Sequence, residues 1–209
     1  AVFGDRQLGR AAAAQPAGGD GQAFELAHAR VAAFVDAVEP GRALQRVGDR
    51  LLPALHAGTP VIGVCLGSQF IAKALGATVR SGKALEIGMT PIKLTAQARQ
   101  DPVFSAIPES FEVFEWHGEV FDLPKDCVPL AGSDIAPLQA FRYGARAYGL
   151  LFHLEMEENG IDSLCRECAP DLMKAHLAAQ QVKATALPEL LQLHEMADRL
   201  IGHLLHPTR

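Results

Sequence analysis

The spacing of apolar positions changes character near Thr59. Before it the period is helical. Phe24, Ala27, Val31, Phe34 and Val35 recur at helical spacing within Ala23–Val38. Leu44, Val47, Leu51, Leu52 and Leu55 form a stripe over Arg42–His56, which Gly58 ends. Pro53 falls inside that stripe and is expected to kink it. Further upstream, Gly9–Gln22 is rich in Ala and Gly and reads as loop, and Ala1–Gly4 reads as the tail of a strand. After Thr59 short apolar runs alternate with turn residues. Val61–Val64, Met89–Leu94, Phe111–Trp116, Val128–Ala131, Leu138–Phe141 and Ala147–Phe152 are the expected strands, with Ser81-Gly82, Pro108-Glu109 and Leu123–Asp126 as turns between them. Val61–Val64 is apolar throughout, the pattern of a strand covered on both faces. From Ser163 the helical period returns. Glu189–Leu205 sets Leu190, Leu193, Ala197, Leu200, Ile201 and Leu204 on one face, a stripe suited to the core and also to a homodimer. With no internal repeat and no linker, residues 1–209 are expected to form a single α/β domain, a sheet covered by helices with a helical C-terminus over 163–209.

Composition narrows the classes. The chain has 209 residues, 49% of them hydrophobic, enough to bury a sizeable core. A net charge of −5 without runs of like charge carries no nucleic-acid footprint. No apolar stretch approaches the roughly 20 residues of a membrane span, and the first residues lack the layout of a secretory signal. Four cysteines, Cys65, Cys127, Cys165 and Cys168, stand at irregular positions. No disulfide framework is implied, and a cytoplasmic location is expected. Cys165 and Cys168 lie in an expected helix without a second cysteine pair, so they read as ordinary helix residues rather than a zinc or redox site. Cys127 reads as core, and His176, His194, His203 and His206 as solvated or capping residues. No metal or cofactor is called for.

One segment changes the picture. The apolar run Pro60–Val64 leads directly into Cys65, which glycines flank at Gly63 and Gly67, and a helix-like stretch follows from Gln69 to Leu75. A cysteine on a sharp strand-to-helix turn has its sulfur lifted clear of the sheet and placed at the positive end of a helix, as a nucleophilic thiol requires. Such a thiol needs a base, and the base needs an orienting group. Tyr148–Glu155 supplies both: His153 emerges after an apolar strand, and Glu155, two residues on, shares its face on an extended chain. Open α/β sheets place their sites at the carboxyl ends of strands, where the Cys65 turn also lies. The amides that begin the helix after Cys65 can point at a developing oxyanion.

Together these residues resemble a class I (triad) glutamine amidotransferase, in particular the stand-alone proteins similar to the glutaminase domain of GMP synthase. The resemblance rests on a G-x-C-x-G-x-Q elbow at Gly63, Cys65, Gly67 and Gln69, and on Tyr148–Glu155, which matches Y-G-x-Q-F-H-x-E. Glu86-Ile87-Gly88, Trp116–Pro124 and Gln139–Gly144 fit the same subgroup. The match runs in order from about Gly48 to Glu155. It implies an open, mostly parallel, flavodoxin-like sheet with helices on both faces. It also implies a chemistry. Cys65 attacks the side-chain amide of glutamine, and His153 protonates the departing ammonia and then activates water against the thioester. Glu155 orients His153, the Leu66 amide supplies half of the oxyanion hole, and Gly67, Gln69, Trp116 and His117 are candidate substrate contacts. Trp116 and His117 also read as a core aromatic and a loop histidine. The implied partners are glutamine or a γ-glutamyl substrate and a separate synthetase chain that accepts the ammonia.

Three positions depart from the family pattern. Leu151 stands where the family has glutamine, which should alter packing more than the triad. Leu154 stands where it has proline, which should leave the backbone course intact. The third departure concerns the N-terminal strand and Gly-Gly loop that give the second oxyanion amide. Gly18-Gly19 lies too far upstream, and Arg30–Phe34 has no Gly pair, so residues 1–41 form an atypical segment. Two other readings therefore stand beside glutamine hydrolysis: a γ-glutamyl hydrolase or peptidase using the same triad, and a catalytically impaired relative acting as a binding module.

Overall fold

The computed structural model describes residues 50–206. The expected helix Ala23–Val38 and the Gly18-Gly19 and Arg30–Phe34 stretches lie outside the described residues. Residues 50–56 are helical and include Pro53, and Gly58 follows with a left-handed φ of 68°.

Six strands form one sheet in the order β1-β6-β5-β4-β2-β3. They are β1 (Val61–Val64), β2 (Val79–Leu94), β3 (Ser110–Phe121), β4 (Cys127–Gly132), β5 (Ala140–Tyr143) and β6 (Ala147–Leu150). The helices are α1 (Leu66–Ala74), α2 (Glu158–Glu167), α3 (Ala169–Lys174), α4 (Ala179–Ala186) and α5 (Leu190–Leu205). The helix-covered α/β architecture and the helical C-terminus follow the expectation. Strand polarity over the described residues is mixed rather than mostly parallel. β1 and β6 run parallel, whereas β2·β3, β2·β4, β4·β5 and β5·β6 are antiparallel. The connections account for this. Only Gly144, Ala145 and Arg146 join β5 to β6, and β2 reaches β3 through two short 3₁₀ turns, whereas a parallel pair needs a crossover of a dozen or more residues.

Alternation along β6 distributes the core to both faces. Tyr148 and Leu150 join the larger apolar cluster, with Phe104, Phe114, Leu130, Ile161, Leu193 and Leu200. Ala147 and Leu151 join the smaller, with Leu51, Leu55, Ile71, Phe121 and Phe141. The C-terminal helices thus cover one face, and α1 with residues 50–56 covers the other. The stripe predicted for Glu189–Leu205 is the buried side of α5: Leu193, Ala197, Leu200 and Leu204 are all buried.

Two stretches differ from the sequence pattern. β2 is 16 residues long, although only Met89–Leu94 reads as strand. Its first half contains Ser81-Gly82, which reads as a turn, and the ladder with β3 shifts register between Ser81 and Glu86. The irregularity breaks the period-2 signal without ending the pairing. Likewise, His117, which reads as a loop histidine, lies within a strand. β3 continues through it to Phe121.

A buried carboxylate fastens the 3₁₀ turns to the sheet. Asp101 Oδ1 accepts hydrogen bonds from the Val103 and Phe104 amides at 2.9 and 3.0 Å and from the Tyr148 hydroxyl at 3.2 Å. Its Oδ2 accepts from Arg142 Nε at 2.6 Å. Burial and the neighbouring Asp101 push the Tyr148 phenol well above its ordinary pKa, so it remains a donor. Asp101→Ala leaves the buried Val103 and Phe104 amides and the Tyr148 hydroxyl without an acceptor, at about 1–3 kcal/mol each, and is expected to cost several kcal/mol. Tyr148→Phe, which leaves Asp101 its other donors, should cost about 1 kcal/mol. Urea unfolding midpoints of the two variants check the ranking.

Candidate active site

The site begins with a strained turn. Cys65 lies between β1 and α1 with φ 47° and ψ −109°, a conformation rare for a residue with a side chain. Its amide donates to the Leu150 carbonyl at 2.8 Å, which ties the turn to β6. Its carbonyl accepts the Ser68 hydroxyl at 2.6 Å and the Ser68 and Gln69 amides at 3.0 and 3.2 Å. Glycine is required at position 63, where a Cβ would stand 2.5 Å from the Gly67 carbonyl oxygen and 2.7 Å from Ile71 Cδ1. The other flanking glycine differs: a Cβ at Gly67 would enter open space.

His153 reaches the turn from the far end of β6. Its backbone forms an isolated antiparallel bridge with Phe114 of β3: the His153 amide donates to the Phe114 carbonyl at 2.8 Å, and the His153 carbonyl accepts the Phe114 amide at 3.3 Å. His153 Nδ1 lies 2.6 Å from Glu155 Oε1, which leaves Nε2 as the nitrogen available to Cys65. Burial lowers the pKa of the imidazole, but hydrogen bonding to Cys65 and Glu155 and their charge outweigh it and raise the value from 6.5 to about 10. Burial alone would raise Glu155. The bond to His153 and its positive charge outweigh that and hold the carboxyl below its ordinary 4.5. The Leu154 amide adds a hydrogen bond to Glu155 Oε2 at 3.0 Å. The proline that the family pattern has at this position carries no N–H, so the departure at Leu154 gives Glu155 a donor. Leu151, the other departure, is completely buried in the smaller cluster, and its amide donates to the Gln139 carbonyl at 2.7 Å.

The remaining predicted contacts divide. The amide of Leu66, first residue of α1, has no intrahelical partner and is free for an anion, while its side chain is 54% exposed. Gln69 is buried in α1. Trp116 approaches the thiol with its backbone, Cys65 Sγ lying 4.0 Å from the Trp116 carbonyl oxygen. Its indole packs in the larger core cluster. His117 is buried. It meets Glu115, Glu86 and Gln139, and Ser133 joins the group through Glu86; the sequence reading assigned none of the four a role in the site. The available signal was Glu115 itself, a carboxylate inside the apolar run of Phe111–Trp116.

The other cysteines and histidines fall outside this constellation. Cys127, Cys165 and Cys168 are free thiols whose pKa burial raises, to about 11 for Cys127. His194 contacts the Met156 carbonyl, and His203 the Arg199 carbonyl, each at 2.8 Å. Among the described residues no helix is long and apolar enough to cross a membrane.

Residues 45–163 match the family described as "Glutamine amidotransferase class-I". The chain belongs to that family. It is 34% identical over 122 residues to the glutamine amidotransferase-like protein YfeJ of Salmonella typhimurium, covering 58% of this chain and 51% of that protein. It is 35% identical over 109 residues to one of the subunits of the glutamine-hydrolysing GMP synthase of Pyrococcus abyssi, covering 50% of this chain and 56% of the relative. The chain thus spans about half the length of the curated relatives it matches. A solved glutamine amidotransferase of Thermotoga maritima superimposes with a TM-score of 0.72 at 28% identity, over 80% of this chain and 71% of that one. The fold is the flavodoxin-like one of class I glutamine amidotransferases.

The two raised and lowered pKa values set a window for the His153–Glu155 pair. Glu155, depressed, contributes stability above about pH 4.5 that is lost as pH falls through its folded value. His153, raised, contributes stability that is complete below its unfolded value near 6.5 and is lost as pH rises through about 10. The stability advantage of the wild type over His153→Gln should therefore be constant from about pH 5 to 6.5 and shrink steadily towards pH 10, as read from thermal unfolding across that range.

Proposed function

We propose that this domain hydrolyses the side-chain amide of glutamine through Cys65, His153 and Glu155. What supports the reading is that the imidazole of His153 is paired at Nδ1 with Glu155 and that β3 meets both residues, its Phe114 bridging the His153 backbone and its Trp116 carbonyl facing the Cys65 sulfur. The family and the resemblance in fold to a glutamine amidotransferase support the choice of amide.

The steps follow from the geometry. With its pKa near 10, His153 carries its proton at neutral pH, the form that can protonate a leaving amine. The sulfur of Cys65 attacks the amide carbon. The oxyanion that forms faces the free Leu66 amide at the positive end of α1. The C–N bond breaks as His153 passes its proton to nitrogen, leaving a thioester and ammonia. Neutral His153 then takes a proton from water, the hydroxide adds to the thioester carbon, and glutamate leaves as the sulfur departs. Glu155 keeps the ring oriented through both halves and stabilises its charged form. Gly67 leaves room for the substrate beside the sulfur.

The ammonia is passed to an acceptor carried by a separate chain. This partner reading is supported by the relatives that are themselves named as one subunit of GMP synthase. The exposed apolar Leu66 next to the nucleophile suits such a docking surface.

Incubation with glutamine should release glutamate and ammonia in equal amounts. Cys65→Ala should abolish release, and a diazoketone analogue of glutamine should label Cys65 in the wild type only. Glu155→Gln should lower kcat by about 10²–10⁴, as loss of an orienting carboxylate does in hydrolytic triads. Turnover of γ-glutamyl peptides without turnover of glutamine would assign the same residues to a different amide.

A further inference from the structure

Beneath the thiol site lies a polar cluster that the reaction above does not use. Glu86 on β2 and His117 on β3 are cross-strand partners, and Glu115 precedes His117 on the same face of β3. All three are buried: Glu86 is 3% exposed, His117 6% and Glu115 not at all. His117 Nε2 is 3.1 Å from Glu115 Oε2 and 3.5 Å from Glu86 Oε2, so one ring nitrogen faces two carboxyl groups. Glu86 is held further by the Ser133 hydroxyl at 2.6 Å and by Gln139 Nε2 at 3.2 Å. The ring therefore links β2 to β3, and Gln139 extends the link to the segment leading into β5.

β3 meets both proposed reacting residues, the sulfur of Cys65 and the backbone of His153. Between Glu115 and His117, the carbonyl of Trp116 faces Cys65 Sγ. One residue before Glu115, Phe114 forms the backbone bridge to His153. We infer that Glu115 and His117 are positioning residues for the thiol site: the shared contact with Glu86 fixes β3 at the height that holds the Trp116 carbonyl beside the sulfur and the Phe114 bridge beside the imidazole. The inference rests on the proposed glutaminase reading for its kinetic part only.

The charge state of Glu115 fits this role. Burial, reinforced by the nearby Glu86 charge, raises its pKa despite the opposing influence of His117 and His153. The groups that face it are Glu86 from β2, His117 from β3 and His153 from beyond β6. The raised pKa makes the neutral form of Glu115 easier to reach, and glutamine is the near-isostere of that form. A group whose folded pKa is raised stabilises the fold fully below its unfolded value near 4.5, and that contribution is lost as pH rises through the folded value.

Two kinds of measurement test the assignment. Glu115→Ala and His117→Ala should each lower kcat by about 10–100-fold with KM within about twofold, the effect of a small displacement of reacting groups. Both should slow alkylation of Cys65 by iodoacetamide, a readout that needs no glutamine. Glu115→Gln should recover most of both losses. Its thermal stability relative to the wild type should also increase as pH rises from 4.5, a measurement that does not depend on activity. Glu115→Gln as damaging as Glu115→Ala would overturn the inference, because charge rather than position would then matter. A loss confined to KM would overturn it as well, making His117 a substrate contact. Wild-type protein inert towards glutamine would refute the glutaminase reading, while the alkylation and stability series would still decide the positioning role.

Discussion

The site depends on one strained residue. A non-glycine backbone at φ 47° costs on the order of 1–3 kcal/mol and persists only where the surroundings over-determine it. Here they do so from three directions. Gly63 lets the strand pass within contact of the helix that follows, at a spacing any Cβ would block. The Leu150 carbonyl holds the Cys65 amide from β6, and Ser68 closes the turn from inside α1. The parallel register of β1 and β6 sets Val64 opposite Leu150. The pairing that bears the strain thus also fixes how far the chain must run before it delivers His153. Strain and constellation are two consequences of one strand pair.

Charge at the site follows from a matching of carboxyl groups to imidazoles. Glu155 accepts from His153 and from the Leu154 amide, so its ionised form is satisfied twice at the edge of the protein. Glu115, completely buried, gains no comparable set of donors, and both its oxygens lack a well-formed hydrogen bond. Desolvation then favours the neutral acid. The pKa of the carboxyl beside His153 is therefore lowered and that of the one behind it raised.

The parts of this arrangement that were legible in the sequence are those encoded locally. Val61–Val64 and the glycines around Cys65 declare the elbow because close approach and a left-handed turn admit few residue types. The apolar strand ending in His153-Leu154-Glu155 pairs an imidazole with a carboxylate by spacing alone, and the structure sets the two 2.6 Å apart. α5 was legible because its stripe runs for about four turns. What failed to read was irregular or relational. β2 hides its first half behind Gly82 and a register shift, so neither period applies. The cluster of Glu86, Glu115 and His117 exists only because β2 and β3 pair in one register, and no single segment encodes that. Trp116 reads as a core aromatic or a substrate contact, and what it brings to the thiol is a carbonyl that any residue would supply. Its side chain answers to the core instead. The mixed polarity of the sheet was likewise a property of connections rather than of strands.

β3 gathers these threads. Its odd-numbered face carries Glu115 and His117 towards the polar cluster, and its even-numbered face carries Phe114 and Trp116 into the core under the C-terminal helices. Its backbone, common to both, meets Cys65 and His153. Alternation along a strand normally separates a wet face from a dry one. Both faces of this strand are closed, and around Glu115 and His117 the closure is by polar side chains set 3.1 to 3.5 Å apart. Apolar packing tolerates sliding because it is non-directional, whereas polar groups that must face one another favour one register. A strand whose carbonyl must stay beside a sulfur has more use for the second kind of support than for the first. That difference is a physical reason for burying three titratable groups where leucines would have packed at less cost in desolvation.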